Sequence, residues 1–111
     1  MPVHYRNSTP KKVLAEGITR RIAYTDHLLS AVLEYTNGPM AQPDPPHSHP
    51  HEQVSYVAQG ELYVFIGDEK YHLHTGDQFS VPPDVPHTIQ NLGTNLILVD
   101  NFTPVRKDFI E

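Results

Sequence analysis

His47-Ser48-His49-Pro50-His51-Glu52-Gln53 places three imidazoles at alternate positions, and two side chains carrying oxygen follow them. His47 and His49 are read as lying on one strand, where alternate side chains share a face, so the two point at one spot. Two nitrogens converging on one face are half of a transition-metal site. Pro45-Pro46 forces an extended entry into the stretch. Pro50 kinks it, which takes His51 out of the register of the first two histidines and leaves its role as a ligand open. The rest of the site must come from elsewhere in the chain.

Outward from this stretch the chain reads as short strands divided by turns. Downstream, 53–59 alternates as a strand, and Gly60-Glu61 connects it to a strand at 62–66. Gly67-Asp68-Glu69-Lys70 forms a hairpin turn into 71–74, and Thr75-Gly76-Asp77 turns into 78–81. Pro82-Pro83-Asp84-Val85-Pro86 is a stiff loop that delivers His87. A short strand at 88–91 and the turn Leu92-Gly93-Thr94-Asn95 lead to 96–102, the most apolar run. Upstream, strands are expected at 12–16 and at 18–24. Residues 27–36 fit a helical stripe and a strand alternation equally. Asn37-Gly38-Pro39 stops the segment and its neighbours are strand-like, which favours strand. Residues 37–46 are Pro-rich and irregular. Nine or ten short strands without a convincing helix predict an all-β, antiparallel sandwich or barrel. Residues 1–11 read as a polar arm, about 12–103 as the barrel and 104–111 as a tail, one domain in all.

With 111 residues and 38% apolar side chains the chain can bury one modest core. A formal net charge of −5 argues against nucleic acid as partner. The chain has no cysteine, which excludes disulfides, thiolate ligands and a cysteine nucleophile. No run is long and apolar enough to span a bilayer or to act as a signal peptide, so a soluble, cytoplasmic protein is expected. The compositional excess is eight histidines. His72 and His74 read as a solvated or interface-facing edge, and His4 and His27 carry no signal.

Two blocks then line up: His47-x-His49-x3-Gln53-x6-Gly60, and Gly76-x5-Pro82-x-Asp84-x2-His87-x3-Asn91, with fifteen residues between Gly60 and Gly76. This pattern resembles the two-motif signature of the cupin superfamily. The resemblance implies a single-domain, RmlC-like jelly-roll barrel of two antiparallel sheets. It also implies a divalent metal held by His47, His49, Gln53 and His87. Two positions depart from the family pattern: Gln53 stands where Glu is usual, and Asp84 where Gly is usual. Three neutral imidazoles and one oxygen suit Fe(II), Ni(II), Mn(II) or Zn(II) without choosing among them. A neutral Gln leaves such a metal its full charge, which favours an anionic ligand. Gln53 is expected to be either that fourth ligand or a group that orients one by hydrogen bonding.

The first block, together with Asp100-Asn101-Phe102-Thr103-Pro104-Val105-Arg106-Lys107-Asp108-Phe109, is similar to the pectin-degradation cupins of the KdgF type. That resemblance implies conversion of 4,5-unsaturated uronate monosaccharides to a linear keto form, a three-His-plus-Gln metal set, and acting residues Asp100, Phe102 and Arg106. It also implies a small anionic sugar acid as partner and a homodimer. From the residues alone, an acid ending a buried strand is paired, caps a turn or is catalytic. Arg106 could clamp a carboxylate or be solvated, and Phe102 could wall a pocket or fill the core. Tyr24, Tyr56 and Tyr63 are candidate pocket liners or ordinary barrel filling. Two other functions stay open: a cupin dioxygenase, and a binding or sensing module without turnover.

Overall fold

The computed structural model describes residues 3–110. The ends of the expected arm (Met1, Pro2) and of the tail (Glu111) lie outside them. The strands are β1 (Lys12–Ala15), β2 (Ile18–Tyr24), β3 (Leu29–Tyr35), β4 (Glu52–Gln59), β5 (Glu61–Ile66), β6 (Glu69–His74), β7 (Gln78–Val81), β8 (His87–Asn91) and β9 (Leu96–Thr103). A single helical turn, α1 (Lys107–Ile110), follows them. Six strands form one sheet in the order β1-β2-β3-β9-β4-β7, and three form a second in the order β6-β5-β8. Every pairing is antiparallel. The molecule is an antiparallel double-sheet jelly roll.

Alternation decides which side chains enter. On β4, Gln53, Ser55 and Val57 are buried while Val54 and Tyr56 face out. On β9, Leu96, Leu98 and Phe102 are buried, with Asp100 on the same face. The main core joins the two sheets through Val57, Leu62, Val64, Leu96 and Leu98. A fully buried leucine such as Leu62 or Leu96 contributes roughly 1.5–3 kcal/mol over an exposed one. A second cluster of Leu29, Ala31 and Phe102 receives Val105 and Phe109 from the C-terminal segment.

The register then sets rows across the large sheet. One row runs Tyr24, Leu29, Phe102, Gln53, Val81, and the next runs Ile22, Ala31, Asp100, Ser55, Phe79. Asp100 therefore lies between Ala31, which leaves room beside it, and Ser55, which can reach it.

Three expectations need correction. His47 and His49 do not lie on a strand: His47 makes an isolated bridge with His87, and His49 is in irregular backbone. The prolines at 43, 45, 46 and 50 remove the donors that a continuous ladder would need. The turn expected over 67–70 is confined to Gly67 and Asp68, because Glu69 and Lys70 already pair with Ile66 and Phe65. The tail carries the helical turn α1, which packs Phe109 edge-on against Phe102 at 5.6 Å between ring centroids. Sequence periodicity is silent over so few residues.

Candidate metal centre

The two halves of the centre meet through the backbone. His47 N–H donates to His87 O at 3.0 Å, and His87 N–H donates to His47 O at 2.9 Å. One step away, Asp84 N–H donates to His49 O at 2.8 Å. Asp84 has φ of 65°, the left-handed conformation that glycine adopts most readily. That is the physical reason a glycine suits this motif position, and Asp tolerates it better than most residues.

The imidazoles of His47, His49 and His87 converge, with a ring nitrogen from each within 4.8 Å of the others. The His47 and His87 ring centroids are 4.3 Å apart, and those of His49 and His87 are 4.8 Å apart. His49 and His87 are buried, while His47 sits at the mouth. Backbone carbonyls fix two of the tautomers. His87 Nδ1–H donates to Val85 O at 2.9 Å, and His49 Nδ1–H donates to His51 O at 3.1 Å. A carbonyl only accepts, so both Nδ1 atoms carry the hydrogen and both Nε2 atoms present lone pairs when the rings are neutral. Burial, reinforced by the neighbouring histidines and Arg106, pulls the pKa of His87 down to about 4 although its bond to Val85 opposes this. Burial likewise lowers the pKa of His47. Both shifts favour the neutral ring, the form that binds metals.

Gln53 is oriented by a chain of donors. Ser55 Oγ–H donates to Asp100 Oδ1 at 2.5 Å, so Ser55 must accept at Oγ from Gln53 Nε2, at 3.0 Å. That leaves Gln53 Oε1 facing His49 Nε2 at 3.1 Å. Two acceptors thus face one another in a buried site, and His87 Nε2 is buried with no partner at all. A cation among these atoms would satisfy all three. The donor set fits a divalent transition metal with three imidazoles and one amide oxygen. His51 lies outside the cluster, with its ring centroid 5.6 Å from that of His49.

A cavity of about 260 Å³ opens beside the centre, near the small end of ligand pockets at about 300–1,000 Å³. Asp100, half-buried on the inner face of β9, faces it. Burial raises its pKa to about 6, against the opposing effects of the Ser55 bond and of Arg106. Phe102 is buried in the second cluster and also lines the cavity, edge-on to His49 at 5.5 Å. Arg106 reaches the cavity, but its fork is engaged by Asp108: Nε donates to Oδ1 at 3.1 Å and an Nη to Oδ2 at 2.8 Å. The Arg106 guanidinium beside Asp108 holds that carboxyl below its ordinary range.

The tyrosines read as pocket liners or barrel filling do not line the cavity. Tyr24 and Tyr56 are exposed, and Tyr63 packs under Lys70 on the outer side of the small sheet. Tyr35, Ser55, Arg20 and Asp44 take part instead. The signal for Arg20 and Ser55 was present in the alternations Ile18-x-Arg20-x-Ile22 and Gln53-x-Ser55-x-Val57, where a polar residue occupies an inward position. Asp44, in irregular backbone, had no comparable signal.

Fold and site together define a small cupin, and comparison with known proteins agrees. A cupin-domain family model matches residues 35–100, and the chain belongs to the cupin family. It is 34% identical over 106 residues to the pectin degradation protein KdgF of Dickeya dadantii, covering 94% of each chain. It superposes on KdgF from a Halomonas species with a TM-score of 0.85 at 30% identity, covering 96% of both. An RmlC-like cupin from Shewanella frigidimarina gives a TM-score of 0.84 at 32% identity, covering 95% of this chain and 92% of that one.

Proposed function

We propose that the chain is a pectin-degradation cupin that converts 4,5-unsaturated uronate monosaccharides to their linear keto form, using a divalent metal held by His47, His49, His87 and Gln53. The observation that carries this reading is Asp100. It is a carboxyl with a pKa of about 6, facing the same cavity as the partnerless imidazole nitrogen and joined to Gln53 through Ser55. The KdgF relatives support the substrate class.

The reaction is an isomerisation. The bond from C1 to the ring oxygen breaks and C1 becomes an aldehyde. The ring oxygen stays on C5, first as an enol and then as a ketone. The proton lost from the C1 hydroxyl is matched by one gained at C4. One group that accepts a proton and returns one serves both ends, and a pKa near the working pH suits it to both. Asp100 is assigned that role. Ser55 donates to Asp100 Oδ1 and so steadies the carboxylate between the two transfers. Phe102 closes an apolar wall that keeps water from the sugar ring, and Arg106, held by Asp108, completes the rim. The metal, when bound, supplies Lewis acidity to an oxygen of the substrate. A cytoplasmic setting and a homodimer belong to the same proposal.

The test is ultraviolet absorbance of the substrate alkene in a lyase digest. Metal-loaded protein should speed its decay well beyond the spontaneous rate, and chelation should abolish the gain. A decay rate equal to that without protein would overturn the reading. Oxygen uptake coupled to turnover would favour the dioxygenase instead.

A further inference from the structure

Arg20 is a buried cation that the proposed chemistry leaves unused. It projects from the inner face of β2, opposite Leu33, and only 9% of it is exposed. It comes from three strands away from Gln53 in the sheet order β2-β3-β9-β4, yet both line the same cavity. Arg6 pairs with Glu34, and Arg106 forks onto Asp108. Among the described residues, by contrast, no carboxylate or carbonyl accepts from Arg20. Its compensating contact is the Phe109 ring, with the guanidinium carbon 3.7 Å from the centroid. Arg106 stacks on that ring too, at 4.3 Å, so two like charges share one aromatic platform.

A buried, unpaired charge is disfavoured, and a cation–π contact offsets only part of the cost. Burial and the neighbouring Arg106 both lower the pKa of Arg20, while Asp108 opposes them. Arginine remains charged regardless and presents a planar fork matched to a carboxylate. Arg106 has its partner inside the protein, whereas among the described residues Arg20 has no hydrogen-bonding acceptor.

We propose that Arg20 is the carboxylate anchor of this cavity, with Phe109 fixing the plane of its fork. Naming the ligand as a sugar acid rests on the function proposed above, but the need for an anion does not. Arg106, which on the residues alone could clamp a carboxylate or be solvated, has its fork engaged by Asp108.

The test uses full-length, metal-loaded protein carrying Arg20→Met. Calorimetry compares a hexuronate, the neutral hexose of the same configuration and malonate. Turnover of the unsaturated uronate gives KM and kcat separately. The variant should bind hexuronate and malonate 10- to 100-fold more weakly, with hexose binding unchanged and KM raised more than kcat is lowered. Its melting temperature should hold or rise, because a buried charge has been removed. A purely structural arginine would give the opposite sign. If Arg20→Met fails to fold, Arg20→Gln, which keeps a polar head without charge, decides by the same binding criteria. Wild-type turnover with an unchanged KM in the variant would overturn the anchor and leave the function standing. Binding of hexuronate or malonate that depends on Arg20, without turnover of the unsaturated uronate, would support the anchor and overturn the function. Failure of the wild type to bind any carboxylate would overturn the anchor.

Discussion

Among the described residues two clusters of three metal-type side chains lie on this small barrel, and they differ in what else each donor is doing. His47, His49 and His87 converge at the cavity; Glu61, His72 and His74 converge on the outer edge formed by β5 and β6. In the outer cluster the carboxylate already serves the imidazoles: Glu61 contacts His72 at hydrogen-bond range and lies 3.6 Å from His74. Those three side chains are 43–61% exposed, so water completes whatever they lack. The inner cluster has no carboxylate among its donors. Backbone carbonyls hold two rings by Nδ1, His87 Nε2 has no partner, and the fourth oxygen is the neutral amide of Gln53. Proximity of donors is common to both. Unsatisfied lone pairs held in place beforehand distinguish the inner one.

The contrast can be broken or sharpened by substitution. The largest effect is expected for Asp100→Asn, which keeps shape but cannot relay a proton. Turnover should fall by about 10²–10⁴-fold with metal content unchanged; an active variant would remove Asp100 from the mechanism. His87→Ala should weaken metal binding by more than the roughly 10–100-fold typical of losing an outer partner, measured by competition with a chelator. His72→Ala should leave the tight site's affinity and stoichiometry as they were. Equal losses from the two variants would erase the distinction between the clusters.

The pH dependence of stability comes next. The folded-state pKa of Asp100 lies above its ordinary 3.8, at about 6. The folded protein therefore holds this proton more tightly than the unfolded chain does. The resulting stability is fully present below about pH 4 and is lost as pH rises through about 6. Relative to Asp100→Asn, the wild type should lose on the order of 3 kcal/mol across that window, as read from denaturant unfolding of both proteins at a series of pH values. A pH-independent difference would mean that Asp100 is not buried in this way. Ser55→Ala should cost about 10–100-fold in metal affinity, since it frees the amide of Gln53 to rotate. The smallest effect is on stability in His72→Ala. Loss of an exposed pair should shift it by less than about 1 kcal/mol, checked by thermal unfolding.

Most of the strand pattern was legible because turn residues and period-two alternation are local signals. Gly60, Gly67 and Gly76 all have positive φ, and each marks a chain reversal where the sequence places one. The two-motif spacing likewise pointed to the histidines that converge. What stayed hidden depends on pairing between distant strands. That Ser55 faces Asp100 follows from the β4–β9 register, and that Arg20 joins the same cavity follows from β2 lying beyond β3. The reading of 47–49 as a strand failed because alternation survives in irregular extended backbone that pairs only once. The helical turn at 107–110 is too short to leave a period, and its contribution comes through one packed ring.

The reciprocal backbone bonds between His47 and His87 have a thermodynamic consequence. These residues are forty positions apart in the chain, at 47 and 87, so in the unfolded ensemble a large loop separates the two parts of the ligand set. High affinity for an ion, on the function proposed above, would then exist only in the folded chain. By linkage, each tenfold rise in free metal above its dissociation constant should add about 1.4 kcal/mol to folding stability. The midpoint of thermal unfolding then becomes a gauge of how fully the centre is occupied, readable before any substrate is in hand.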